Sequence, residues 1–149
     1  MTRPSQYVAP SSVRFGLVAI VALVLLSASV TDPSGAPLSR TGPLGVFGQD
    51  KWLHAAGYGA FALSIAYALL PRSPGLRRGL VATVLLAGGY GVAMELLQYP
   101  LRYRAFDPLD ATANVLGAIA VVLALAAGSR ILNRRREPSR SPPERGDRS

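Results

Sequence analysis

Four stretches of this chain are nearly free of charge, and each approaches the length of a helix that crosses a bilayer. They cover residues 14–31, 52–70, 79–98 and 109–127. About 20 apolar residues suffice to cross the hydrocarbon core as a helix. Lipid offers no hydrogen bonds to the backbone, so each such segment must satisfy its own polar groups, which a helix does. The fold class read from the sequence is therefore all-α: a polytopic integral membrane protein, a bundle of four transmembrane helices. Half of the residues are hydrophobic and only 16% are charged, below the quarter or so found in soluble domains.

Between the apolar runs the punctuation is clear. Residues 1–13 are polar, with Pro4 and Pro10, and read as an unstructured N-terminal segment. A loop follows the first run, carrying Pro33, Gly35, Pro37, Gly42, Pro43, Gly45 and Gly48. Pro71 ends the second run, and residues 72–78 connect it to the third. One domain spans residues 14–128, and residues 129–149 are expected to form a basic, disordered tail. A competing reading makes the first run a signal peptide, with Arg3 and Arg14 ahead of it and Ser27-Ala28-Ser29 as a small-residue cleavage site.

The formal charge of +8 raises the question of nucleic acid. Its distribution answers with topology instead. Twelve of the sixteen basic residues lie in the N-terminal segment together with Arg14, the loop at residues 72–78 and the tail. Arg40, Lys51, Arg102 and Arg104 lie on the other side. Positive charge collects on the cytoplasmic face, so both termini are expected in the cytoplasm of a cell-membrane protein, with no nucleic-acid partner. The chain has no cysteine, which excludes disulfides and thiolate chemistry.

The exceptions to charge avoidance fall at one depth. Asp50, His54 and Tyr58 share i, i+4, i+8 spacing, and Lys51 with His54 is i, i+3. Glu95 lies about one turn before the end of the third run, with Gln98 three residues on. Asp110, Asn114 and Gly117 follow i, i+4, i+7 at the start of the fourth. Three helices thus bring polar groups to the outer face, where such residues face a bundle interior or a water-filled cavity. The expected meeting is Glu95 with His54, Lys51 or Arg104, with Gln98 and Asn114 completing the hydrogen bonds.

Blander roles compete for several of these residues. Asp107 before Pro108 is an N-cap signal, Asp110 can favour the same helix dipole, and Asp50 is placed to cap the second helix. Trp52, Tyr99 and Tyr103 fit an interfacial aromatic belt. Asn114 and Gln98 can act as interhelical glue. One histidine with scattered carboxylates does not assign a metal, and no nucleophile elbow, phosphate loop or paired-histidine motif implies a cofactor.

Taken in order, Asp50-Lys51-Trp52-Leu53-His54, Glu95-Leu96-Leu97-Gln98, Arg104 to Asp110 and Asn114-Val115-Leu116-Gly117 resemble the VanZ-like family of small polytopic membrane proteins. The resemblance covers roughly residues 45–127. Related sequences often place Pro-Gly-Arg before the aromatic of the turn, where this chain reads Leu101-Arg102-Tyr103-Arg104. The family is named for a protein associated with teicoplanin resistance at the cell envelope. The resemblance brings no established chemistry, and fold-level likeness does not transfer resistance.

Three functions are compatible with these residues. The first is binding of a polar or envelope-lipid headgroup, or a glycan, in an extracytoplasmic pocket of Lys51, His54, Glu95, Gln98, Arg104, Asp110 and Asn114, with membrane lipids as partners. The second is an intramembrane enzyme acting on a lipid-linked substrate, with Glu95 and His54 as an acid–base pair. The third is a polar cluster that only specifies helix packing.

Overall fold

The computed structural model describes residues 8–31, 41–45, 48–100 and 107–136. Four helices make up nearly all of it: α1 (Ser11–Val30), α2 (Gln49–Leu69), α3 (Leu76–Gln98) and α4 (Pro108–Arg136). A 3-10 turn, Leu70–Arg72, extends α2. All four are long and apolar enough to cross a membrane, so the chain is built as a multi-pass membrane protein. Each helix runs antiparallel to the one before. The start of α1 meets the end of α2, the start of α2 meets the start of α4, and the ends of α1 and α3 meet.

Helix boundaries follow local chemistry. Pro10 precedes the first turn of α1, and Pro74-Gly75 breaks the chain ahead of α3. Pro71, which has no N–H, tightens the end of α2 into the 3-10 turn. The one substantial departure from the expected spans is α4. It continues to Arg136, well past the expected end at residue 127, so the first part of the expected disordered tail is helical. Gly128 costs a helix only about 1 kcal/mol, and Ile131, Leu132 and the arginines that follow are compatible with helix. The remainder of the expected tail, and residues 1–7, lie outside the described residues.

Burial is concentrated on α2 and α3, which pack on each other and each hold both α1 and α4. The core contains Tyr58, Phe61, Ala62 and Ile65 of α2, Ala87 of α3 and Ala118 of α4. Leu17, Ile20, Leu23 and Val24 of α1 and Leu116 and Leu123 of α4 point outward. In water such a surface would be costly; in lipid it meets a solvent as apolar as itself. Contact between helices then rests on small residues. A Cβ on Gly117 would overlap the Ala55 backbone carbonyl, and one on Gly91 would stand 3.0 Å from both Tyr58 and Asn114. The Gly-rich spacing therefore fixes how α4 and α3 lie on α2.

Two side chains of α3 tie α1 into this bundle. Tyr90 Oη donates to the Ala22 carbonyl at 2.6 Å, and Gln98 Nε2 to the Ser29 carbonyl at 2.9 Å. At the opposite end, the buried Arg14 of α1 donates to the Ala68 carbonyl of α2 at 3.0 Å. A groove of about 570 Å³ opens near that end, between Leu76–Leu85 of α3 and Val122–Asn133 of α4, with Arg77 and Arg130 on its lining.

Candidate functional site

The polar residues converge where α2 and α4 begin and α3 ends. Lys51 projects from the first turn of α2 toward α4. Its Nζ lies 2.5 Å from Asp107 Oδ2, 2.5 Å from Asp110 Oδ1 and 2.9 Å from Asp50 Oδ2. Three carboxylates thus surround one ammonium. A compact point charge suits this cage better than a planar guanidinium would, which accounts for lysine at this position in a chain otherwise built with arginine.

Asp107 does two things at once. Its Oδ1 accepts from the Leu109 N–H at 2.8 Å, satisfying an orphan donor at the start of α4 as expected of an N-cap. Its Oδ2 binds Lys51. The Lys51 ammonium, helped by that N–H, holds the Asp107 carboxyl below its ordinary pKa. Asp50 departs from expectation. The N-cap of α2 is Gly48, with no side-chain cap, and Asp50 sits inside the first turn with its carboxylate on Lys51.

One turn deeper, His54 Nδ1 lies 2.9 Å from Asn114 Oδ1. An amide oxygen can only accept, so Nδ1 is the donor in this contact, and in the neutral imidazole Nε2 is then the acceptor. Nε2 lies 3.7 Å from Asp110 Oδ2. Glu95 closes the base of the site at 1% exposure, as does Asn114. Among the described residues, Glu95 Oε2, Asn114 Nδ2 and Tyr58 Oη are buried without a hydrogen-bond partner. The spacing on α3 explains the inward aim of Glu95: Leu80, Thr83, Ala87, Gly91 and Glu95 recur every three or four residues and form its buried face. His54, Glu95 and Asp110 each present a nitrogen or oxygen ligand atom, all within 4.8 Å of one another.

Comparison with protein-family models, with characterised proteins and with solved structures finds no match. The reading of the site therefore rests on its own geometry.

The structure brings together Lys51, His54, Glu95, Asp110 and Asn114, with Asp50 and Asp107 joining them. The expected meeting is changed in two respects. Lys51 binds aspartates rather than Glu95, and Gln98 reaches α1 through Ser29 rather than completing the cluster. Arg104 lies outside the described residues. The part that Asp50 and Asp107 play in holding Lys51 was hidden in the sequence by a simpler explanation for each, a helix cap. Their common signal was Lys51 itself, a cation that needed partners in an apolar setting.

Proposed function

We propose that this chain is a VanZ-like membrane protein that holds the polar headgroup of an envelope lipid in this pocket, on the extracytoplasmic face. The orientation rests on the arginine bias, and the family reading on the motifs around Lys51, Glu95, Gln98 and Asn114. The observation that carries the binding reading is the set of buried, unpartnered polar atoms, Glu95 Oε2, Asn114 Nδ2 and Tyr58 Oη, in one apolar bundle. An unmade hydrogen bond of this kind costs about 1–3 kcal/mol per group, which a ligand group offsets on binding.

The geometry alters which part of a headgroup would be read. Lys51 is occupied by three carboxylates and is not free to grip phosphate. The site sets carboxylate acceptors beside an amide N–H and a phenol hydroxyl, and holds more carboxylates than cations, so it suits hydroxyl, amide or amine groups. Native mass spectrometry of gently extracted protein tests this. One lipid should stay with each chain and be lost from Asn114→Leu and Glu95→Gln. A chain that emerges free of lipid, or variants that keep the same lipid, would overturn the reading.

A second reading, an intramembrane enzyme with Glu95 and His54 as acid and base, is favoured by their separation. Ligand atoms of the two lie within 4.8 Å, a gap that one water molecule bridges. It requires that turnover of a lipid-linked substrate by the purified chain falls at least 100-fold in Glu95→Gln. Equal turnover by variant and parent would remove it.

A further inference from the structure

We infer that His54 Nε2, Glu95 and Asp110 Oδ2 form a site for one divalent transition-metal ion of the zinc class. The donor set is one imidazole and two carboxylates, which suits first-row divalent metals better than magnesium or calcium, whose ligands are oxygen throughout. The three ligand atoms lie within 4.8 Å of one another, and the His54 to Asp110 separation is 3.7 Å. Bonds of about 2.0 Å in a tetrahedron put ligand atoms about 3.3 Å apart. Side-chain rotation has to close the remaining difference, and Glu95 has three rotatable bonds with which to do so.

Two observations separate this cluster from an ordinary group of acids. The first is Glu95, a residue only 1% exposed, whose buried Oε2 has no hydrogen-bond partner among the described residues. The second is that the other two ligands are already fixed from behind. His54 Nδ1 is held by Asn114, which directs Nε2 inward, and Asp110 Oδ1 is held by Lys51, which leaves Oδ2 free. Metal sites use such outer partners to set tautomer and orientation. The His54 and Asp110 side chains are 22% and 19% exposed, so an ion can enter from the surface with Glu95 at the floor.

Three protein ligands leave a coordination position open, the arrangement of zinc sites that bind water or substrate. The ion would bring into the pocket the positive charge that Lys51, spent on its aspartates, does not supply. Metal binding depends on these side chains alone and stands whether or not the pocket also holds a headgroup.

The test uses the full chain without an affinity tag, purified in detergent, stripped with chelator and titrated with Zn2+ alone. One Zn2+ per chain should survive desalting. Glu95→Gln and Asp110→Asn should weaken binding at least tenfold, His54→Ala should abolish it, and Gln98→Ala should retain it. Co2+ should give the intense visible bands of a tetrahedral site in the parent protein, which needs no variant. The chain has a single histidine, so a zinc-induced shift of imidazole NMR signals reports on His54 outright. Absence of saturable Zn2+ binding overturns the inference, as does binding that leaves the His54 signals unmoved or persists unchanged in both His54→Ala and Glu95→Gln.

Discussion

Gly117 of α4 rests against the backbone of Ala55 in α2, so closely that a methyl group in place of its hydrogen would overlap the Ala55 carbonyl oxygen. That contact lies one turn below Asn114, and it sets the distance from which Asn114 reaches His54. Gly117→Ala must therefore push α4 away from α2, because the obstructing atom is backbone and cannot rotate aside. Overpacking of this kind costs about 1–3 kcal/mol. The expected result is a lower unfolding midpoint in detergent and weaker protection of the His54 imidazole proton by NMR. Gly128→Ala, where a Cβ meets nothing within 4 Å, should be neutral or slightly stabilising.

Lys51 is the hub of the outer cluster, and its removal leaves three carboxylates facing one another. Truncating one partner of a buried pair costs about 3–5 kcal/mol. Here Asp107 is 37% exposed and Asp110 19%, so solvent screens part of the loss, and about 2 kcal/mol is expected for Lys51→Met. Lys51→Arg should recover only part of it, since three carboxylates converge on a single nitrogen. Lys51→Met combined with Asp110→Asn should be less destabilising than the two single changes added together. Additivity in a double-mutant cycle would show that the pair does not interact.

The same cage sets an acid limit. Lys51 and the Leu109 N–H hold the folded-state pKa of Asp107 below its ordinary value. A group depressed in this way contributes stability that is complete above the ordinary carboxylate pKa, about 4, and is lost as pH falls through the lower folded value. The unfolding midpoint should therefore drop on acidification below about pH 4. Asp107→Asn should flatten that drop while lowering stability at pH 7. Thermal scans of both proteins between about pH 3 and 7 check the point. An unchanged acid slope in the variant would mean that other carboxylates carry it.

Helices were the most legible part of this sequence, because spans and breaks depend on strong local signals, charge-free runs and proline. The polar face of α4 was legible for the same reason: Asp110, Asn114 and Gly117 could share a face only if the segment was helical. Individual pairings across helices were legible only in part. Gln98 stands three residues after Glu95, and that spacing alone suggested a common target. Gln98 instead donates to the Ser29 carbonyl of α1. That His54 gathers with Glu95 and Asp110 followed from their common depth, and the structure brings the three together. The close packing at Gly91 and Gly117, which sets how near their helices lie, could not be read from spacing alone. The extra turns of α4 were not legible, because Gly128 and a run of arginines resemble a solvated tail, although arginine is a good helix former.

Arg14 was legible as a charge that fixes topology, but not as a structural partner. Its guanidinium Nη1 donates to the Ala68 carbonyl at 3.0 Å and reaches the Tyr67 carbonyl at 3.5 Å. Those are the carbonyls that residue 71 would satisfy through its N–H in a 3-10 turn or an α-helix, and residue 71 is proline. Arg14 therefore supplies from α1 the donor that Pro71 lacks, and its positive charge suits the C-terminal end of the α2 dipole. Arg14→Leu should cost about 1–3 kcal/mol, the penalty for a buried acceptor left unpaired. Pro71→Ala in that background should restore part of the loss by returning an N–H to the helix, whereas Pro71→Ala alone should change little. Stability of the four proteins, measured by reversible unfolding in mixed micelles, decides the matter. If Pro71→Ala gives no more recovery with Leu at position 14 than with Arg, the two residues do not serve the same carbonyls.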